Sequence, residues 1–160
     1  MKKIFFLFLI FFIVLIGSNF ASVTAQEQKI ELVFHVENSL YTINGIEYQM
    51  DRDVYPLICK NRTFLPIRFV VDPIGAFLSW EGHERKVIIG IENKKIELWI
   101  DNPIARVNGI KTQIDSNPEI VPFILQGRTM LPIRFIAENL GAQVNWDAET
   151  KEIEIIWTTE

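Results

Sequence analysis

The stretch Arg128-Thr-Met-Leu-Pro-Ile-Arg-Phe135 restates Arg62-Thr-Phe-Leu-Pro-Ile-Arg-Phe69 with one residue changed. The match extends outward. Gly75-Ala76 returns as Gly141-Ala142 and Trp80-Glu81 as Trp146-Asp147, each 66 residues later. Upstream, Asn44-Gly-Ile46 returns as Asn108-Gly-Ile110 and Gln49-Met-Asp51 as Gln113-Ile-Asp115, at a spacing of 64. Lys29-Ile-Glu-Leu32 reads as Lys95-Ile-Glu-Leu98, again at 66, and short insertions in turns account for the drift. From Lys29 onward the chain is one unit written twice, and that fixes how it is read.

Each copy carries the same local signals. Ile30, Leu32, Phe34 and Val36 alternate with Glu31, Val33 and His35, which predicts a strand with one buried face. Asn-Gly between apolar residues predicts a type I′ hairpin at Asn44-Gly45 and at Asn108-Gly109. Pro66 and Pro132 suit the first position of a short helix. In copy two, Ile133, Ile136 and Leu140 share a helical face and Gly141 stops the helix. Pro73 removes a helical hydrogen bond in copy one, so the first helix ends early. Val144 to Trp146 and Ile153 to Trp157 form the closing hairpin. The expected fold is α+β: mostly antiparallel β hairpins with one short helix per repeat, two tandem pseudo-symmetric repeats packed together. The expected segments are a signal peptide over 1–25, repeat one over 26–92 and repeat two over 93–160. A unit of roughly 65 residues has only a marginal core by itself, so the two should form one body.

The leader reading comes from Lys2-Lys3, thirteen consecutive apolar residues over 4–16, and a small-residue ending at Val23-Thr24-Ala25. The apolar run is shorter than the ~20 residues that span a bilayer, so no permanent membrane span is expected after cleavage. Removing it leaves 135 of the 160 residues and takes the net charge from −4 to −6. The product is expected to be secreted or extracytoplasmic, with attachment to the cell surface as one form of that. An acidic chain lacks the basic face that nucleic acid requires. The lone Cys59 cannot close an internal bridge, and its apolar surroundings point to a buried small hydrophobe. Asn61-Arg62-Thr63 fits a glycosylation acceptor, a pattern common by chance.

Catalytic sets are hard to assemble. His35, His83 and Cys59 are the available soft ligands, and copy two has no histidine, so no metal or other cofactor is expected. Asp51, Asp53 and Asp115 lack the glycine and distal glutamate of a calcium loop and read as turn acids. Ser39 and Ser79 have no accompanying nucleophile motif. Arg62, Arg68, Arg128 and Arg134 could recognise carboxylates or sulfated sugars. Yet both copies carry all four positions, as they carry Pro66, Pro132, Trp80 and Trp146. A residue the fold needs appears in each copy, whereas one active site needs it once. These eight are therefore read as a structural signature: Arg68 and Arg134 pair with Asp72 and Glu138, Arg62 and Arg128 hold turns, and the tryptophans are core anchors. Trp99 breaks the pattern, standing where the Lys-Ile-Glu-Leu match puts Val33, on the face shared with Lys95 and Glu97. It is either covered by the other copy or, with Tyr41 and Arg106, open to a partner.

Residues 126–147, with Gly-Arg-Thr-x-Leu-Pro-Ile-Arg-Phe-Ile-Ala-Glu-Asn-Leu-Gly-Ala and then Val-Asn-Trp-Asp, are similar to the copper amine oxidase N-terminal-like, or stalk, domain of secreted bacterial proteins. The resemblance covers essentially the whole chain after the leader; copy one departs at Asn61, where the glycine is missing, and at Asp72-Pro73. It implies an extracytoplasmic, non-catalytic module and does not bring copper with it, because the metal and quinone of those enzymes belong to a separate domain. Together these readings point to an exported structural or protein-interaction module, not an enzyme. A cell-wall or glycan-binding module using exposed aromatics is the alternative.

Overall fold

A computed structural model describes residues 28–51 and 53–158; the leader expected over 1–25 lies outside them. Fourteen strands and two helices follow one another along these residues. In copy one they are β1 (Lys29–His35), β2 (Leu40–Ile43), β3 (Ile46–Gln49), β4 (Leu57–Cys59), β5 (Arg62–Pro66), α1 (Arg68–Val71), β6 (Phe77–Glu81) and β7 (Lys86–Ile91). Copy two gives β8 (Lys94–Trp99), β9 (Ile104–Val107), β10 (Ile110–Gln113), β11 (Phe123–Leu125), β12 (Arg128–Pro132), α2 (Ile133–Leu140), β13 (Gln143–Asp147) and β14 (Glu152–Thr158). The order strand, hairpin, short helix, hairpin recurs, and every strand pairing is antiparallel.

The strands interleave across the copies. One five-stranded sheet runs β13-β14-β1-β2-β3, the other runs β10-β9-β8-β7-β6, and a four-stranded sheet runs β11-β12-β5-β4. The closing hairpin of each copy is thus hydrogen-bonded to the opening strand of the other: β14 to β1 and β7 to β8. In the four-stranded sheet β5 and β12 run side by side, with Leu65 opposite Leu131. Alternation supplies the core. Ile30, Leu32 and Phe34 of β1, Ile96 and Leu98 of β8, and Ile153, Ile155 and Trp157 of β14 are all buried. Helix α2 buries Ile133, Ile136, Ala137 and Leu140.

Both Asn-Gly turns take the two positive φ angles expected, 51° and 77° at Asn44-Gly45 and 50° and 82° at Asn108-Gly109. The asparagines do more than turn the chain. Asn44 Oδ1 accepts the Glu31 N–H at 2.9 Å while the Asn44 N–H donates to the Glu31 carbonyl at 2.8 Å. Asn108 repeats both bonds with Lys95, at 2.7 and 2.8 Å. The residue of copy two equivalent to Glu31 is therefore Lys95, 64 positions on, and not Glu97. The Lys-Ile-Glu-Leu match is two residues out of register. A two-residue slip preserves which side chains face inward, so the buried face reads correctly from either alignment. It does change which residues correspond, and Trp99 stands where copy one has His35. The two extra residues of copy two lie between β10 and β11.

Pro66 and Pro132 end strands; neither opens a helix. Pro132 has φ −67° with an extended ψ of 106°, and α2 starts after it. Proline's fixed φ suits an extended residue as well as a helical one. Pro73 acts as expected: α1 is four residues long against eight for α2. The exit is the same in both, since Ala76 N–H reaches the Val71 carbonyl at 2.9 Å and Ala142 N–H reaches Ala137 at 2.8 Å. Gly141, at φ 93°, makes the left-handed close that this exit needs.

Candidate functional site

Two grooves stand out, and they are built from corresponding residues. The first, about 700 Å³, lies between the β4–β5 hairpin, α2 and β13, with Ile58, Arg62, Asp115, Arg134, Phe135 and Trp146 in its wall. The second, about 640 Å³, lies between the β11–β12 hairpin, α1 and β6, with Ile124, Arg128, Asp51, Arg68, Phe69 and Trp80 in the same roles. Each groove has a hairpin isoleucine, an arginine–aspartate pair, the helix arginine and phenylalanine, and a tryptophan from an edge strand.

Trp80 and Trp146 are not core anchors, being 46% and 38% exposed. They do share a sheet face with core residues: Trp80 is opposite Val87 and Trp146 opposite Ile153. But β6 and β13 are the outermost strands of their sheets. Each indole lines its groove.

The four arginines divide by position. Arg62 Nε and Nη2 donate to the two carboxylate oxygens of Asp115 at 2.6 and 3.0 Å. Arg128 donates from Nε to Asp51 at 3.0 Å and also from Nη2. Both pairs cross between the copies. The two acids read as turn residues are therefore also the anchors of the two arginines. The signal was present in the sequence, because the acids and the arginines recur together, but nothing in a linear reading said that each pairs with the other copy's partner. Arg134 lies 3.8 Å from Glu138, the expected helical pair. Arg68 makes no ion pair with Asp72 or any other described residue.

Asp115 is the more enclosed of the two acids, with 16% of its side chain exposed. Hydrogen bonding from Arg62 first, then from the Asn117 N–H, holds its carboxyl below the ordinary value of 3.8. A depressed carboxyl stabilises the fold fully above its unfolded value and loses that contribution as pH falls through the folded one. Asp115→Asn should therefore lower the urea midpoint at pH 7 and flatten the dependence of that midpoint on pH below about 4. Parallel slopes in the acid range for the two proteins would contradict this.

The trio Trp99, Tyr41 and Arg106 does not assemble. Tyr41 belongs to the core at 9% exposure, stacked on Phe34 with ring centres 5.3 Å apart and edge-on to Phe69 at 5.6 Å. Burial, then Tyr48 and then Asp72 raise its phenol pKa. Trp99 and Arg106 are together on the other five-stranded sheet, the guanidinium 5.5 Å from the ring centre. Lys86 of copy one comes to 5.8 Å of the same ring and is itself held by Glu81 and Glu84 at 2.9 and 3.0 Å. Trp99 is half-buried in this charged cluster, above a shallow 450 Å³ depression. Cys59 is half-buried at the end of β4, opposite Arg62.

The copper amine oxidase N-terminal domain family matches residues 17–89 and 42–155, together spanning most of the sequence. The chain belongs to that family. No curated protein and no solved structure shows a significant match. The copper amine oxidase N-terminal domain is a non-catalytic part of those enzymes. His35 on β1, Cys59 on β4 and His83 in the turn between β6 and β7 lie on separate stretches of the chain. Among the described residues, no three His, Cys, Asp or Glu side chains are grouped to hold a metal ion. No helix among the described residues is long and apolar enough to cross a membrane.

Proposed function

We propose that this copper amine oxidase N-terminal domain acts outside the cytoplasm as a non-catalytic module that holds a protein partner at the cell surface. In this reading the two repeats form one pseudo-twofold body that presents the same contact surface twice. The observation that carries it is the recurrence of the groove, with a half-exposed tryptophan and an arginine fixed by an aspartate of the other copy. Catalysis needs its reacting groups once. A duplicated aromatic groove suits adhesion, where two modest contacts on one frame reinforce each other through effective concentration. The leader-like residues 1–25 support export, and the non-catalytic role of the family in amine oxidases supports binding over turnover.

The test compares the chain from residue 26 with its Trp80→Ala/Trp146→Ala variant in adsorption to the surface of the producing cell. Aromatic contacts at an interface centre carry a large share of its energy, so the variant should bind at least about tenfold more weakly. Its thermal midpoint should fall only slightly, since each indole is already half in solvent. Equal adsorption by the two proteins overturns the reading.

A further inference from the structure

The two grooves differ in charge. In the groove beside β13 each guanidinium has its carboxylate, Arg62 with Asp115 and Arg134 with Glu138. In the groove beside β6, Arg128 is matched by Asp51, while Arg68 is exposed and makes no ion pair among the described residues. The sequence explains why. Asp72 replaces the longer Glu138, and Pro73 cuts α1 short immediately after it. The wall of one groove therefore carries two arginines and two acids, and that of the other two arginines and one acid, on a chain whose net charge is −4.

A second observation concerns the backbone. β6 is the outer strand of its sheet, so one row of its N–H and C=O groups has no strand partner. Such an edge accepts an extended polypeptide, whose alternate side chains then point to one side. On the groove side stand Trp80 and Ile124, each 46% exposed, with Arg68 nearby in the same wall.

We propose that the groove beside β6 receives an extended acidic segment of a partner protein, added along the open edge of β6, with a carboxylate on Arg68 and an apolar side chain against Trp80 and Ile124. This rests on the interaction reading above and names the chemistry of one of its two grooves. An acidic peptide fits better than an acidic sugar because the edge offers main-chain donors and acceptors at strand spacing, which a saccharide does not match. The groove beside β13 is built from corresponding residues and has an open edge, but its cations are already paired, and it does not select for acid.

The experiment follows the indole N–H signals of the nitrogen-labelled chain from residue 26, assigned with Trp80→Phe and Trp146→Phe. The probes are the blocked peptide acetyl-Val-Thr-Glu-Thr-Val-amide, whose Val and Glu side chains share one face of an extended strand, its counterpart with Gln for Glu, and polygalacturonate. The acidic peptide should shift the Trp80 signal and leave that of Trp146 in place, and the Gln peptide should bind at least about fivefold more weakly. Arg68→Gln should abolish that preference, whereas Arg134→Gln should leave it intact; both arginines are exposed, and unchanged melting curves verify the fold. Equal affinity for the two peptides, an equal or larger shift at Trp146, a response to polygalacturonate without one to peptide, or no shift with any probe each overturns the proposal. If the peptides fail while Trp80→Ala/Trp146→Ala still loses adsorption, the interaction reading stands and only the acidic-segment assignment falls.

Discussion

Leu131→Ala is expected to destabilise the protein by about 3 kcal/mol, a loss of roughly 10 °C in thermal midpoint. Leu131 and Leu65 are both fully buried and face each other across the β5–β12 pairing. This is where the central strands of the two copies meet, so neither side can relax outward to fill a void. Leu65→Ala should cost a similar amount. The double variant should cost less than the sum of the two, by about 1 kcal/mol, because the second deletion enlarges a cavity already open. Ile110→Ala gives the contrast: that side chain is 70% exposed at a hairpin tip, and its loss should register within about 0.5 kcal/mol. Urea unfolding of the four variants measures all of this. Strict additivity at Leu65 and Leu131 would mean that the two residues do not share a cavity.

The second large effect comes from separating the copies. Residues 28–92 by themselves should not fold, and neither should residues 93–158. Without copy two, β1 loses β14 along a seven-residue ladder from Lys29–Thr158 to His35–Glu152, and β7 loses β8 along six further pairs. Leu32, Phe34, Val87 and Ile89, all buried in the whole protein, would face water or a collapsed substitute. A fragment of about 65 residues has little margin to absorb that loss. Each fragment should show weak near-ultraviolet dichroism and no cooperative melt. Mixing them should restore both, with a midpoint that rises with concentration because association now carries a translational cost. A cooperative melt from either fragment alone would refute the prediction.

Much of this architecture was legible in the repeat. Asn-Gly located the hairpins, alternation found the buried faces of β1 and β8, and Gly141 and Pro73 set the lengths of α2 and α1. What escaped the sequence was relational. The Lys-Ile-Glu-Leu match misled by two residues, since identical letters at a strand's polar positions carry no register, whereas the doubly bonded Asn44 and Asn108 do. Trp80 and Trp146 read as core because both copies carry them, as they would carry any residue the fold needs. Exposure depends on whether another strand lies beyond, which local pattern does not encode. Asp51 and Asp115 read as turn acids because their arginine partners are 77 and 53 positions away, each in the other copy. Arg68 was expected to pair with Asp72 as Arg134 pairs with Glu138; the shorter side chain and the interrupted helix leave it alone.

The pairing of β1 with β14 sets Lys29, at the start of the described chain, directly opposite Thr158 at its end. These two residues are therefore neighbours across one pair of strands. A pull applied between them would load the β1–β14 ladder from that end, breaking hydrogen bonds one pair at a time instead of shearing seven together. If the domain is tethered at one end and pulled at the other, this seam is its mechanical fuse.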